Sequence, residues 1–138
     1  MSAVAATPTP GPVDRFLDAV LAASIDDCDA WAPDARLDAT VPNWRFQVRG
    51  TEAIRARYRG WFADPGEFAE LRRHPVPGGE VVTYLLAWRE HGVPHTAHHQ
   101  HVLEVEGDRI VADTVFCGGR WPASLMAEME AARGAVDA

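Results

Sequence analysis

The apolar residues of this chain repeat with two different periods, and the changeover falls at Asp64-Pro65-Gly66. Before it the spacing is helical: Phe16, Leu17, Val20, Leu21 and Ile25 share one helix side, and Ile54, Tyr58, Trp61 and Phe62 share another. After it the side chains alternate, as in strands with one buried face. Residues 68–75, 81–90, 95–106 and 109–117 read as strands, parted by Gly78-Gly79, by His91-Gly92-Val93-Pro94 and by Gly107-Asp108. Helices followed by a strand meander predict an α+β fold. A cone-shaped, curved antiparallel sheet would wrap around the N-terminal helices and enclose a pocket at its open end.

Residues 1–12, small and Pro-rich, read as a disordered tail, and residues 13–138 as one domain. Pro12 suits the first position of the first helix. A helical turn over 29–31 would end at Pro33, and 36–41 reads as a short strand stopped by Pro42. Residues 43–49 read as a loop carrying Trp44 and Phe46. Thr51 is expected to cap the second helix, and a last helix starts at Trp121-Pro122.

Composition removes whole chemistries. All 13 basic residues are Arg, so no lysine Schiff base or P-loop lysine can form. Ser occurs only at 2, 24 and 124, outside any G-x-S-x-G elbow. No strand leads into G-x-G-x-x-G, which leaves a dinucleotide cofactor without support. A net charge of −7 argues against nucleic acid or an anionic membrane as the main partner. Cys28 and Cys117 cannot make a disulfide framework. With no signal-peptide pattern and no long apolar run, the expected location is cytoplasmic.

The densest chemistry is H-T-A-H-H-Q-H at 95–101. Alternation puts His95, His99, His101, Leu103 and Val105 on one face and His98 and Gln100 on the other; the two leucine/valine positions mark the first face as buried. His99 and His101 would then project into the pocket, where imidazoles can move protons near neutral pH or simply line the wall. A cupin-type metal site fits poorly, because six residues rather than five separate Gly92 from His99 and Asp113 stands where a later Gly is wanted. No metal and no cofactor are expected. Tyr84 shares a face with Val82, Leu86 and Trp88, so its hydroxyl could reach the pocket. Cys117 reads as a buried, inert thiol more readily than as a nucleophile. Trp44, Phe46 and Trp88 could give the pocket an aromatic lining for a flat, apolar molecule.

The element order, with W-A-P-D-A-R-L at 31–37, R-G-T-E-A-I at 49–54 and G-D-R-I-V at 107–111, resembles the nuclear transport factor 2-like superfamily. That superfamily includes ketosteroid isomerase, limonene epoxide hydrolase, scytalone dehydratase, SnoaL-like polyketide cyclases and non-catalytic binding domains. The resemblance implies a small-molecule pocket and a homodimer. The catalytic positions of these relatives do not carry over: they fall at or near Phe16, Val41, Val82, Tyr84, His101 and Val115, so Phe16 and Val115 are read as apolar ligand-binding positions. An acid on the first strand serves several relatives, which singles out Asp38.

The partner of His101 depends on hairpin register. A two-residue turn at Gly107-Asp108 sets His101 opposite Thr114, with Asp113 on the other face. A three-residue loop with a bulge sets His101 opposite Asp113. Hydrophobicity favours the first and the resemblance the second, which is the one expected here. The sequence therefore predicts a hydrophobic pocket with His101, Asp113, His99, Asp38 and Tyr84 as its acid/base set. It would serve a cofactor-independent isomerase, dehydratase or cyclase, or else a non-catalytic binding or dimerisation domain.

Overall fold

The computed structural model describes residues 10–137, so most of the expected tail, residues 1–9, lies outside the described residues. Helix α1 (Pro12–Ala22) starts with Pro12 at its first turn, where a missing N–H costs nothing. A 3₁₀ turn (Ile25–Asp27) leads to strand β1 (Trp31–Val41) and its hairpin partner β2 (Trp44–Arg49). Helix α2 (Thr51–Trp61) precedes β3 (Gly66–Val76), β4 (Gly79–Glu90), β5 (Val93–Glu106) and β6 (Arg109–Pro122), and α3 (Ala123–Asp137) follows.

The six strands form one curved, unclosed sheet in the order β2-β1-β6-β5-β4-β3. It is mixed rather than wholly antiparallel, because β1 runs parallel to β6. The chain reaches that edge from α1 instead of through a hairpin, so nothing forces an antiparallel pairing there. Three further expectations are corrected. The short helical turn comes before residues 29–31, at Ile25–Asp27, and Trp31 already belongs to β1. Residues 44–49 are a strand, since Pro42-Asn43 makes a two-residue turn, with Asn43 at φ 65°, that sets Val41 opposite Trp44. Thr51 does not cap α2: Gly50 holds the cap position, and the Thr51 hydroxyl donates to Ala32 O at 2.8 Å, tying the helix to β1.

The inner face of the sheet and the buried sides of α1 and α2 share one core. Phe16, Val20, Ile54, Tyr58, Leu37 and Leu103 are all essentially inaccessible. Phe16 is the centre of an aromatic cluster, 5.4 Å from Trp31 and 5.9 Å from Tyr58 between ring centroids. Aromatic edges and faces at these spacings add to the burial energy. The same cluster reaches His101 on β5, so the packing of both helices bears on the histidine strand.

Candidate active site

Strand alternation on β5 turns Ala97, His99, His101 and Leu103 inward and leaves His98 and Gln100 exposed, so the histidine run is divided between the two faces of the sheet. On β4, Val82, Tyr84, Leu86 and Trp88 face the same interior, and the register sets Tyr84 beside His99 and Val82 beside His101. The β5/β6 register is neither of the two forms set out above. Val105 pairs with Ile110, as a two-residue turn requires, but Val111 is then an extra residue on β6. Beyond this bulge Leu103 faces Asp113 and His101 faces Val115. Asp113 is thus a diagonal neighbour of His101 on the inner face.

Five buried groups form one hydrogen-bonded chain. The Tyr58 hydroxyl donates to Asp113 Oδ2 at 2.7 Å, and His101 Nδ1 lies 2.9 Å from Asp113 Oδ1. His101 Nε2 is 2.9 Å from the Tyr84 oxygen, which is 2.9 Å from His99 Nδ1. Donor and acceptor balance allows two directions, one with His101 neutral and the reverse with His101 charged. A carboxylate at Asp113 only accepts, so His101 carries its proton on Nδ1. In the neutral form His101 Nε2 accepts from the Tyr84 hydroxyl, and the Tyr84 oxygen accepts from His99 Nδ1–H. One lone pair is then left over, on His99 Nε2.

That nitrogen has no hydrogen-bond partner among the described residues, yet it is not sealed off. The one fully buried polar side-chain atom without a partner among them is Trp31 Nε1. His99 stands in the wall of a cavity of about 290 Å³. Trp61, Trp88 and Pro42 stand in its wall, with Cys117 directly across the ladder from His99 and the half-exposed Arg120 beside Trp88. Trp61 and Phe62 hold the His99 ring at 5.3 and 5.7 Å. Phe16 packs edge-on to His101 at 5.0 Å.

Burial dominates the electrostatics. It pushes both Tyr58 and Tyr84 well above the usual phenol range, with the Asp113 charge adding to the effect, so both keep their protons. It lowers His99 to about 3, helped by His101 and His98, so that ring is neutral. Burial also raises the Cys117 thiol, which is therefore uncharged. Both nitrogens of His101 are committed to hydrogen bonds, and among the described residues no group of three or more His, Cys, Asp or Glu could hold a metal ion.

Not every expected residue is brought here. Asp38 lies on the opposite face of β1, because Leu37 and Ala39 take the inner positions. It is held by Arg45 at 2.6 Å and by Gln47 at 3.2 Å, and the Arg45 bonds keep its carboxyl below the usual range. It borders a larger hollow of about 480 Å³ on the outer face, together with Arg36 and Arg49, away from the histidines. Trp44 is 70% exposed at the end of its hairpin. Phe46 packs on Trp61 at 6.4 Å, and Arg57 lies over its ring, so it backs the cavity instead of lining it. Phe16 and Val115 are core residues beneath and beside His101. Of the expected aromatic lining, Trp88 alone stands in the wall. His95 stacks on Trp88 and bonds to Val93 O, outside the chain of bonds. Tyr58, Trp61 and Arg120 are the residues that sequence reasoning did not assign to the site.

No family model matches this chain, and no curated protein matches it in sequence. Solved structures do. A candidate isomerase from Bacillus subtilis superposes with a TM-score of 0.64 at 14% identity, over 78% of this chain and 84% of its own. An LEH-like epoxide hydrolase from M. tuberculosis gives 0.59 at 18% identity, over 77% and 79%. A Catenulispora acidiphila protein with a ketosteroid isomerase-like fold, solved with trimethylamine, gives 0.60 at 14%, over 80% and 88%. The chain has the nuclear transport factor 2-like fold. Identities this low carry the fold alone. Among the described residues the one buried acid is Asp113 on β6, while Val41 on β1 is an apolar part of the cavity wall.

Proposed function

We propose that this chain is a cofactor-independent acid/base enzyme acting on a hydrophobic small molecule, and that His99 is the residue that meets the substrate. The observation that carries the reading is the unbroken chain of buried hydrogen bonds from Tyr58 and Asp113 through His101 and Tyr84 to His99 at the cavity wall. A proton taken from substrate by His99 Nε2 need not stay there. His99 passes its Nδ1 proton to the Tyr84 oxygen as Tyr84 passes its own to His101 Nε2. The positive charge then rests on His101, against the Asp113 carboxylate, and each group remains hydrogen-bonded. His99 is neutral before and after, and its cavity-facing nitrogen has changed from acceptor to donor. It can return the proton to another atom of the same substrate. Removal and return on one face suit an isomerase best; a dehydratase or cyclase would use the same two states.

The low proton affinity of His99 itself favours one rival, a binding domain in which His99 only accepts a ligand hydrogen bond. Proton exchange separates the two. With 4-acetylbenzoate in D₂O at neutral pH, the enzyme reading expects NMR to show exchange of the methyl protons above the buffer rate. Replacing His99 with Phe should lower that rate by about 10²-fold or more, and Tyr84→Phe should lower it while leaving His99 in place. Exchange no faster than buffer alone, or unchanged in His99→Phe, overturns the enzyme reading. A homodimer formed through the outer face of the sheet and a cytoplasmic location complete the proposal; no helix among the described residues is long and apolar enough to cross a membrane.

A further inference from the structure

We propose that the cavity takes a flat, single-ring compound with a hydrogen-bond donor at one end, placed on His99 Nε2, and a carboxylate at the other, placed on Arg120. Size sets the first limit. Pockets for drug-sized ligands span about 300–1,000 Å³, and this one, at about 290 Å³, sits at the lower edge. A single-ring compound fits within that volume, with Trp61 and Trp88 in the wall around it.

With His101 neutral, the inner end demands a donor. A neutral imidazole nitrogen without a proton can only accept, and a ligand that leaves it unpaired sacrifices a buried hydrogen bond. The outer end offers donors to an anion, from a half-exposed Arg120 guanidinium that is ion-paired with Glu90 through one Nη. That guanidinium has five N–H donors, and among the described residues this is its one hydrogen bond. Its guanidinium carbon lies 5.3 Å from the Trp88 ring centroid, which holds it at the cavity edge. Glu90 also accepts from Trp88 Nε1 and lies 3.6 Å from His95 Nε2, but it is not part of the cavity wall; nor is any other acid among the described residues.

A local departure from regular pairing puts Arg120 there. The ladder runs regularly to His99 opposite Cys117, then skips a residue so that Ala97 faces Arg120. Gly119 sits at the skip with φ 121°, a conformation that favours glycine. With unbroken pairing Ala97 would face Gly119 and Arg120 would point outward. The bulge re-aims Arg120 to the inner face.

The inference rests on reading this cavity as the substrate site, but binding is measured apart from turnover. Calorimetry at pH 7 compares 4-hydroxybenzoate with its methyl ester, which lacks the anion, and with 4-methoxybenzoate, which lacks the donor. The parent acid should bind about tenfold tighter or more than either. Arg120→Met should abolish the difference between acid and ester, and His99→Phe the difference between hydroxyl and methoxy. Equal affinities in the unaltered protein, no binding of the parent acid, or preferences that survive in both variants overturn the proposal. The affinity pattern without exchange of ketone protons overturns the enzyme reading alone; exchange without the pattern overturns this one alone.

Discussion

His99 is a neutral side chain that its surroundings forbid to charge, and that has a measurable consequence for stability. In the unfolded chain a histidine takes up a proton near pH 6.5; in the folded protein His99 does so only at about 3. Between those values the unfolded state binds one more proton on this account. Stability from His99 is therefore complete above about pH 6.5 and falls as pH is lowered toward 3, by about 1.4 kcal/mol per pH unit. Denaturant unfolding of His99→Phe at a series of pH values should show that much less pH dependence than the unaltered protein. An unchanged slope rejects the argument. The ¹⁵N spectrum of the histidine rings adds a second check: His99 should stay neutral from pH 8 down to pH 5. A doubly protonated His99 between pH 5 and 8 contradicts the relay. Much of this site was legible in residues 95–101, because alternation alone separates His99 and His101 from His98. Alternation also contained the signal against Asp38, flanked by Leu37 and Ala39, and the resemblance outweighed it. Tyr58 was not legible as a site residue. Its periodicity places it on the buried side of α2, but that its hydroxyl meets Asp113 is a fact of helix-on-sheet packing.

At the scale of elements, two bulges on β6 decide what the site contains. The first, at Val111, leaves Asp113 facing inward after a two-residue turn that would otherwise point it outward; the second, at Gly119, brings in Arg120. Neither follows from hydrophobic pattern, since a bulge reverses the parity that pattern-reading depends on. Residues 43–49 were legible in principle: Trp44, Phe46 and Val48 alternate with Arg45, Gln47 and Arg49 after a Pro-Asn turn. Glycines mark where strand geometry leaves no room. A methyl on Gly79 would lie 1.8 Å from Leu103 O, at the mouth of the β4/β5 ladder. Gly79→Ala should destabilise by about 3 kcal/mol or more, because the Leu103–Glu104 backbone on β5 must move. Gly60, exposed in α2, gives the contrast, since a methyl there would meet nothing within 4 Å. Gly60→Ala should stabilise by about 0.5–1 kcal/mol. Chemical denaturation of the two variants measures both, and equal effects would show that close approach at Gly79 is not what limits it.

For the whole molecule, the curved sheet turns its inner face to the core, while on its outer face α3 meets the sheet near Thr96, which bonds to Met126, and leaves the middle exposed. Across the middle of that face run Phe116, 48% exposed, and Val102, 38% exposed, with Thr40, Thr83, Gln100 and Thr114 beside them in register. This stripe is uncharged. Of the charged outer-face residues, Arg36, Arg49 and Glu104 lie toward one end of the strands, while Asp38 and Arg45, paired with each other, flank the stripe at Thr114 and Thr40. A second copy of the chain suits such a surface, since it can cover the stripe about a two-fold axis without a partner of opposite charge and without burying lone charges. A stable contact takes about 800 Å² from each partner, roughly a tenth of the 8341 Å² accessible surface. Sedimentation velocity at micromolar concentration should therefore give twice the 15.1 kDa chain mass. Phe116→Arg should shift the protein to monomer while far-ultraviolet circular dichroism stays unchanged, because the side chain makes no part of the core. A monomeric unaltered protein, or a dimer indifferent to Phe116→Arg, places the contact elsewhere or nowhere. The cavity lies on the other face, so binding of 4-hydroxybenzoate should be the same in monomer and dimer.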